Sequence, residues 1–363
     1  MKFDIPKYNA PDFTKDVFVN APDVKMELVE KEGVSPANYH ALSVFPEYFK
    51  VNGKWILATE SRMDSACVVI DEPGNERLEI VELRNLKVGD KVAIGRAEDA
   101  SEGIFVYDKG FLSKEKGSET FAFRSGRSRE TAFSIDYEKL YDVLRNERNK
   151  NGYITWVLGT AISLDRDTRT ALERLVREGY VDAIICGTGL AAFDLECGTF
   201  DTIWGQEVFV KEQLTMKNYY RTINMAREAG SVEEFVKSGK VKDGIIKACV
   251  DCNVPFVLAG TIRDRFTLPG TYNDVTQAQD AMRKHARKTS TMIMVSTALF
   301  TIATGNMTAS YNEFNGIIRP VYMYTVDIQE FAVNKLADRG TLTATSIVTN
   351  TQDFIKHVGR ALT

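Results

Sequence analysis

The sequence is poor in the residues that build disulfide frameworks and metal sites. Its 363 residues include five cysteines and three histidines, and the histidines are far apart, at His40, His285 and His357. Five scattered cysteines are too few for a disulfide framework in a chain of this size. No spacing of histidines and cysteines matches a metal-ligand motif, so the sequence predicts no bound metal.

Only one pair of cysteines is closely spaced, Cys249 and Cys252, which form a CxxC motif. A structural zinc ion would need two more ligands at regular spacing, and none lies nearby in the sequence. A redox pair and two cysteines packed beside a strand are both open interpretations, of which we prefer packing.

Long apolar runs, excess basic charge and the common catalytic motifs are also missing. Charged, glycine or proline residues interrupt every apolar run, and residues 1–13 lack the apolar core of a signal peptide. The net charge is −4, which leaves no basic excess for general nucleic-acid binding. No Ser-His-Asp triad or Walker A loop is evident. We therefore expect a cytoplasmic protein that binds neither nucleic acid nor membrane and acts on a small molecule.

Length and patterning favour two domains. Residues 1–130 are predicted to form a smaller, mostly β domain, because short apolar segments alternate with turn signals such as residues 71–75, DEPGN. Residues 113–131 are polar and glycine-rich and indicate a loop or linker. Their three arginines suit either a solvated face or the binding of a carboxylate or phosphate, and are Arg124, Arg127 and Arg129.

Residues 131–363 are predicted to form an α/β domain with a doubly wound, Rossmann-like parallel sheet. Short apolar strands alternate there with amphipathic helices, as in sheets covered on both faces. The predicted strands are residues 154–160, 181–187, 254–260, 291–299, 321–328 and 343–350. Ligands of such sheets bind beyond the carboxyl ends of the strands, so the residues that follow each strand matter most.

Small and charged residues follow several of these strands. Gly187, Thr188 and Gly189 precede a helix, where glycines let the backbone approach a pyrophosphate, although glycine also simply starts tight turns. Arg263 and Asp264 are our candidates for catalytic residues, and the alternative is a structural ion pair.

The remaining candidates for cofactor binding lie further along the chain. Ser296 and Thr297 carry small hydroxyls suited to a ribose or phosphate, and Asn306 suits a nicotinamide amide or a plain Gly-Asn turn. Thr349 and Asn350 end the last strand.

Asp327 is the most informative of these strand-end residues. A carboxylate at this place can accept both hydroxyls of a ribose and would repel a 2′-phosphate, which favours NAD over NADP. The alternative is a cap for the helix that begins near Gln329. Taken with the other strand ends, the cofactor interpretation is preferred.

The same strand ends carry a family resemblance over most of the chain from about residue 36 onward. The quoted segments are YVDAIICGTGLAAFDLE, INMAREAGSVEEFVKSGKVKDGIIKACVDCNVPFVLAGTIRD, DVTQAQDAM, IATGNM, VDIQEFAVNKLADRG and SIVTN. They resemble the archaeal-type NAD-dependent ornithine cyclodeaminase family, a lysine-ketoglutarate reductase/saccharopine dehydrogenase-like domain. That domain also forms the C-terminal part of arginine dihydrolase fusions.

The resemblance implies an NAD cofactor and an amino-acid substrate. The implied reaction takes a hydride from Cα to NAD, closes the ring by attack of the side-chain amine, releases ammonia and returns the hydride to give proline. The positions that match NAD-binding ones are Thr188, Gly189, Asp264, Ser296, Thr297, Ala298, Leu299, Asp327, Thr349 and Asn350. We expect a homo-oligomer, because most oligomers of soluble proteins are homo-oligomers.

The chain departs from the family pattern around the expected substrate pocket. Residues 218–220 read Asn-Tyr-Tyr where the family usually has a pair of histidines, and Arg265 replaces an aspartate. We infer that NAD binding is kept, while the substrate and the outcome stay open. His40, Tyr219 and Tyr220 are secondary candidates for acid–base work.

The leading hypothesis is thus an NAD-dependent, cyclodeaminase-like ammonia-lyase. The first alternative is a net NAD-dependent oxidoreductase on an amino or imino acid. The second, from another class, is a regulatory protein that binds NAD and catalyses nothing.

Overall fold

Two kinds of β-sheet make up the architecture. The computed structural model describes residues 5–111, 134–202, 216–262, 264, 266–338 and 344–363. Antiparallel sheets occupy the N-terminal part, and a parallel six-stranded sheet with helices follows. The predicted fold class is therefore confirmed. The predicted domain boundary after residue 130 lies outside the described residues and stays a prediction.

The N-terminal part is built from two antiparallel sheets. Its elements are α1 (Asp16–Val19), β1 (Lys25–Leu28), β2 (Glu47–Val51), β3 (Lys54–Ala58), β4 (Ser65–Ile70), β5 (Arg77–Glu82), β6 (Lys91–Ile94) and β7 (Ile104–Val106), with a 3-10 turn at Leu83–Asn85. The strand orders are β1-β6-β4-β5 and β3-β2-β7. The hairpin predicted at residues 71–75 is confirmed, because β4 and β5 pair with Ile70 opposite Arg77.

The C-terminal part alternates strands and helices. Its elements are α2 (Ser134–Asn149), β8 (Ile154–Leu158), a 3-10 helix (Thr160–Leu164), α3 (Arg166–Arg177), β9 (Ala183–Gly187), α4 (Thr188–Phe200), α5 (Lys217–Ala229), α6 (Val232–Lys237), α7 (Ile245–Asp251), β10 (Phe256–Ala259), α8 (Val275–Ala286), β11 (Thr291–Val295), α9 (Ala298–Met307), β12 (Tyr311–Phe314), β13 (Ile317–Pro320), β14 (Tyr322–Asp327), α10 (Glu330–Asp338), β15 (Ala344–Val348) and α11 (Thr351–Leu362). No helix among the described residues is long and apolar enough to cross a membrane.

The order of the parallel strands places a crevice near the middle of the sheet. The order is β10-β9-β8-β11-β14-β15, and every neighbouring pair is parallel. The chain runs outward from β8 to β10, crosses back to β11 on the other side of β8, and continues outward to β15. The order therefore reverses between β8 and β11, which is where ligands bind in sheets of this kind.

The sheet is buried on both faces, which explains the continuous apolar strands in the sequence. Every residue of β8 and of β11 is buried. Successive residues belong to opposite cores, since Trp156 packs with α3 and α4 residues and Val157 with α8 and α9 residues. The indole nitrogen of Trp156 donates to the carbonyl of Tyr180 at 2.9 Å, so burying this polar atom carries no penalty.

The structure differs from the predicted elements in three places. The helical periodicity of residues 217–252 predicts one long helical block, whereas the structure has three helices there, α5 to α7. They are interrupted at Gly230 and Gly244, whose φ values are +90° and +125°. The strand over residues 291–299 ends at Val295, because Ser296 has φ +60° and turns the chain into α9. The antiparallel pair β12 and β13 was not predicted.

Charged side chains join the antiparallel part to α8. The Glu82 carboxylate accepts a hydrogen bond from Arg62 at 2.6 Å and pairs with Arg283 of α8 at 2.9 Å. All three side chains are at least nine-tenths buried. By contrast, the pair between Arg84 and Asp280 at 2.6 Å is exposed. The buried carboxylate therefore holds two buried cations at this contact.

Candidate functional site

A cavity lies in the crevice that the strand order predicts. It has a volume of about 290 Å³ and is bounded by the residues that follow β8, β9, β10 and β11. Its lining includes these residues that the sequence singled out: Gly187, Thr188, Gly189, Asp264, Ser296 and Thr297. These candidates come from three different strand ends, so the fold brings them together at one rim of the sheet.

Other lining residues were missed from the sequence. They are Leu158, Gly159, Thr160, Ala161, Thr261 and Phe300. The apolar run predicts a single strand over residues 154–160, whereas β8 ends at Leu158 and a 3-10 helix begins at Thr160. The signal that could have found them is the Gly-Thr pair directly after an apolar strand, the same pattern that marked Gly187 and Thr188.

The ends of β8 and β11 are in very close contact at the switch point, where the strand order reverses. A Cβ atom added to Gly159 would lie 1.8 Å from the carbonyl oxygen of Ser296. The Gly159 amide also donates to the carbonyl of Val295 at 2.8 Å. Only glycine allows this approach, and Ser296 itself adopts the left-handed region that L-residues with side chains seldom occupy. The floor of the crevice is therefore built from backbone.

Two helices begin at the cavity without a side-chain cap. Helix α4 starts after Gly187 and α9 starts after Thr297, and neither N-cap side chain accepts a hydrogen bond. Among the helices that begin elsewhere, α3 and α8 have such caps, from Asp165 and Asp274, whereas α1, α5 and α7 have none. Free amides and the positive end of the helix dipole favour a negatively charged group. The cavity thus offers anion-binding amides from two directions.

One buried hydroxyl in the cavity wall has no hydrogen bond of normal geometry. Thr188 is 1% exposed, and its Oγ1 atom lies near the Tyr219 hydroxyl without making a hydrogen bond of normal geometry. Buried polar atoms are nearly always hydrogen-bonded, so an orphaned one needs an explanation. A ligand atom with hydrogen-bonding capacity in the adjoining cavity would provide the partner.

A carboxylate lies at the same end of the cavity. Oδ2 of Asp264 accepts from the backbone amide of Thr261 at 2.8 Å, which fixes its orientation in the turn after β10. Tyr219 of α5 is buried nearby. Burial raises the pKa of Tyr219 to about 12, the charge of Asp264 adds to the rise, and the Thr188 hydroxyl opposes it. Tyr219 is therefore a neutral hydroxyl near pH 7 and cannot serve as a base there.

Asp327, Thr349 and Asn350 lie at the strand ends beyond the cavity. Oδ1 of Asp327 accepts from the Gln329 amide at 3.0 Å, in a turn just before α10, which begins at Glu330, and the capping alternative stays open. The side chain is only half-buried, and its role toward a ribose stays a prediction. Thr349 donates its amide to the carbonyl of Asp327 at 3.1 Å, which ties β15 to β14. Asn350 caps α11 through the amides of residues 352 and 353.

The other candidates lie on α9 or outside the described residues. Ala298 and Leu299 form the exposed first turn of α9. Asn306 is exposed in the helical last turn of α9 and is not among the residues that line the cavity, so the alternative of a Gly-Asn loop turn is not realised. Arg263 and Arg265, together with the arginines at 124, 127 and 129, lie outside the described residues.

Neither His40 nor the cysteines of the CxxC motif line the cavity. His40 is buried in the antiparallel part with Nε2 3.1 Å from Oε2 of Glu47, itself buried. Burial opposes the charged form of His40, but the hydrogen bond and charge of Glu47 outweigh it and raise the pKa of the imidazole. Cys249 is buried in α7 and Cys252 is exposed just after it, so only Cys249 packs as the packing interpretation describes.

Comparison with known proteins agrees with this architecture. Residues 138–358 match the family model described as arginine dihydrolase ArgZ-like, C-terminal, Rossmann fold. The chain is 32% identical over 345 residues to the ornithine cyclodeaminase of Methanocaldococcus jannaschii, a match that covers 92% of this chain and 76% of that protein. The chain belongs to this family. The predicted resemblance is thereby confirmed.

Other relatives are longer than this chain. It is 31% identical to the bifunctional arginine dihydrolase/ornithine cyclodeaminase AgrE of Nostoc sp., over 92% of this chain and 46% of AgrE. The chain therefore spans about half the length of that relative.

Two solved structures show the same fold. A conserved LOR/SDH protein from Methanococcus maripaludis S2 has a TM-score of 0.81 at 31% identity, and the match covers 94% of this chain and 98% of that one. AgrE in a ternary complex with ornithine and NAD+ has a TM-score of 0.57 at 29% identity, over 94% and 46% of the two chains.

Proposed function

We propose that this chain is an NAD-dependent ammonia-lyase that converts ornithine, or a closely related amino acid, to a cyclic imino acid such as proline. The observation that carries the proposal is the cavity at the switch point, where two uncapped helices meet a carboxylate and an orphaned hydroxyl. The relatives named ornithine cyclodeaminase, and AgrE with ornithine and NAD+, support the choice of substrate and cofactor.

The residues present fit an NAD cofactor. The amides at the starts of α4 and α9 suit its phosphates, and the Thr188 hydroxyl has hydrogen-bonding capacity that the protein leaves unused. Gly159 lets the ends of β8 and β11 meet closely at the floor of the crevice. Asp327 suits the hydroxyls of a ribose and disfavours a 2′-phosphate. When bound, NAD would take up a hydride from the amino acid and give it back.

The chain's own residues supply positioning and a place for a proton. Asp264 is oriented by the Thr261 amide, so its carboxylate can accept a hydrogen bond from a substrate ammonium or a ribose hydroxyl. Tyr219 adds a hydroxyl that stays protonated at neutral pH beside this carboxylate. A substrate ammonium must lose a proton before its Cα can be oxidised. We propose that Asp264 is the acceptor of that proton.

The test is to incubate purified protein with L-ornithine and NAD and to measure proline, ammonia and absorbance at the NADH wavelength together. We expect equal amounts of proline and ammonia without accumulation of NADH. Asp264→Asn keeps the shape of the side chain, and we expect it to lower turnover by about 100-fold or more. Unchanged turnover in Asp264→Asn would show that Asp264 is not the proton acceptor.

Two other outcomes would favour the alternatives. NADH formed in proportion to the amino acid consumed would indicate a net oxidoreductase. No turnover with a panel of amino acids, together with a higher melting temperature in NAD, would indicate a regulatory protein. Cytoplasmic location and homo-oligomeric assembly remain predictions from the sequence.

A further inference from the structure

An aromatic side chain of α5 borders the turn that carries Asp264. Tyr220 is 39% exposed, and its ring meets the ring of the buried Tyr219 edge-on, with the two centroids 5.3 Å apart. Burial chiefly raises the pKa of Tyr219, and Asp264 and Tyr220 are close enough to its hydroxyl to add to the rise. The Tyr220 ring also lies 6.5 Å from the ring of Phe266, which follows Asp264 by two residues. Tyr220 therefore lies beside the Asp264 carboxylate.

Tyr220 differs from neighbouring aromatic residues in having no cation over its ring. Arg227 of α5 lies 4.6 Å from the centre of the Phe266 ring, and Arg221 lies 4.6 Å from that of Phe200. Among the described residues, no arginine or lysine lies over the ring of Tyr220. The face of an aromatic ring attracts cations, because its π-electrons give it a negative potential. The Tyr220 ring thus has a capacity for binding a cation that the described part of the protein does not use.

The Asp264 carboxylate also keeps one oxygen without a partner in the described part of the chain. Its Oδ2 atom accepts from the Thr261 amide at 2.8 Å, whereas Oδ1 accepts no hydrogen bond from any residue that the structure describes. Charge-assisted hydrogen bonds between an ammonium group and a carboxylate are among the stronger ones in proteins. A carboxylate oxygen and an aromatic face side by side, neither bound to a described cation, suit the ammonium group of a ligand.

The proposed reaction needs such a group at this place. Ring closure brings the side-chain nitrogen of the substrate within bonding distance of its own Cα, so both nitrogens of a diamino acid lie close together in the reacting conformation. Asp264 is the proposed acceptor of the proton on the α-nitrogen. A side chain next to Asp264 that binds the second nitrogen would therefore hold the substrate folded toward its Cα.

We propose that Tyr220 is a specificity-determining residue, which binds the side-chain ammonium group of a diamino acid over its ring, beside the Asp264 carboxylate. This inference rests on the proposed function. It concerns this chain in particular, because residues 218–220 are a place where the sequence departs from the family pattern. Diamino acids should bind in preference to amino acids of equal length that lack the second amine, since only they carry a cation for the ring.

Two unreactive ligands isolate the contribution of the side-chain ammonium group. 5-Aminopentanoate and pentanoate differ only in that group, and neither has an α-amine that could be oxidised. We would measure their dissociation constants by calorimetric titration of the full chain in excess NAD. The unaltered protein should bind 5-aminopentanoate at least about tenfold more tightly than pentanoate.

Three variants show whether the Tyr220 ring causes this preference. Tyr220→Leu should reduce it about fivefold and leave the affinity for pentanoate nearly unchanged, whereas Tyr220→Phe should keep it. Tyr272→Leu is the matched control, because Tyr272 is also 39% exposed and does not line the cavity. If Tyr220→Leu folds poorly, Tyr220→pentafluorophenylalanine keeps the shape of the ring without its negative face, and should reduce the preference as well.

Other results would overturn the inference. Equal weakening of both ligands in Tyr220→Leu would show that Tyr220 contributes packing and does not recognise the charge. The same loss of preference in Tyr220→Phe would assign the effect to the hydroxyl group, and the same loss in Tyr272→Leu would show that it is not specific to this place. Equal binding of the two ligands by the unaltered protein would refute this inference alone. Failure of the unaltered protein to make proline from ornithine would instead refute the proposed function.

Discussion

Replacing Thr188 by valine should raise the stability of the free protein and lower its affinity for NAD. Thr188 is the first residue of α4, is buried, and has a hydroxyl without a hydrogen bond of normal geometry. Valine has nearly the same shape and is also branched at Cβ, so it opens no cavity and has a similar helix propensity. The substitution therefore removes the hydroxyl and changes little else.

The two effects have comparable sizes. A buried polar group without a partner lowers stability by about 1–3 kcal/mol, so the free energy of unfolding of the free protein should rise by about 1 kcal/mol. A hydrogen bond from this hydroxyl to the cofactor would contribute about 0.5–1.5 kcal/mol. Its loss should raise the dissociation constant for NAD about two- to tenfold.

Urea unfolding with and without NAD, together with calorimetric titration, would measure both effects. Thr222→Val is the matched control, because Thr222 is equally buried but donates a hydrogen bond to the carbonyl of Asn218 at 2.9 Å. That variant should lose stability and keep its affinity for NAD. If Thr188→Val lost as much stability as Thr222→Val, the Thr188 hydroxyl would have a partner in the free protein and the reasoning would be refuted.

Three further predictions concern the frame around the site. Gly159→Ala should lower the free energy of unfolding by about 1–3 kcal/mol and weaken the binding of NAD. The reason is that the new Cβ atom would lie 1.8 Å from the Ser296 carbonyl oxygen. His40 has a raised pKa, so its contribution to stability is complete below its ordinary value of 6.5 and is lost as the pH rises through the folded value. Urea unfolding should therefore show that the unaltered protein loses its advantage in unfolding free energy over the His40→Asn variant as the pH rises above 6.5. Glu82→Gln should destabilise by about 3–5 kcal/mol, since Glu82 is the buried carboxylate that pairs with two buried arginines. Asp280→Asn, at an exposed pair, should change stability by less than about 1 kcal/mol.

Each of these has a clear contrary result. Gly187→Ala is the control for packing at the crevice, since its Cβ would meet the Phe300 ring at an ordinary 3.5 Å. Equal losses of stability in the two glycine variants would contradict the close contact at Gly159. A difference between the unaltered protein and His40→Asn that does not vary with pH would contradict the raised pKa. A loss in Glu82→Gln no larger than that in Asp280→Asn would contradict the buried network.

Local patterns in the sequence were sufficient for the element types and for several strand-end residues. Continuous apolar runs predicted the buried strands, because a sheet covered on both faces needs no alternation. The Gly-Thr-Gly run after β9 and the acidic residue after β14 were identified for the same local reason. The block over residues 217–252 was less well resolved, since its helical periodicity continues through glycines whose conformation only the fold specifies.

The sequence by itself determined that this is an α/β chain with small and acidic residues at the ends of apolar strands, because these features depend on neighbours along the chain. Only the tertiary structure decided which of those residues meet. The crossover from β10 back to β11 joins the ends of β8 and β11 and leaves Asp327 at the open rim and Thr188 in the enclosed cavity. Strand order depends on packing between residues more than 100 positions apart, such as Gly159 and Ser296, and no local pattern encodes that contact.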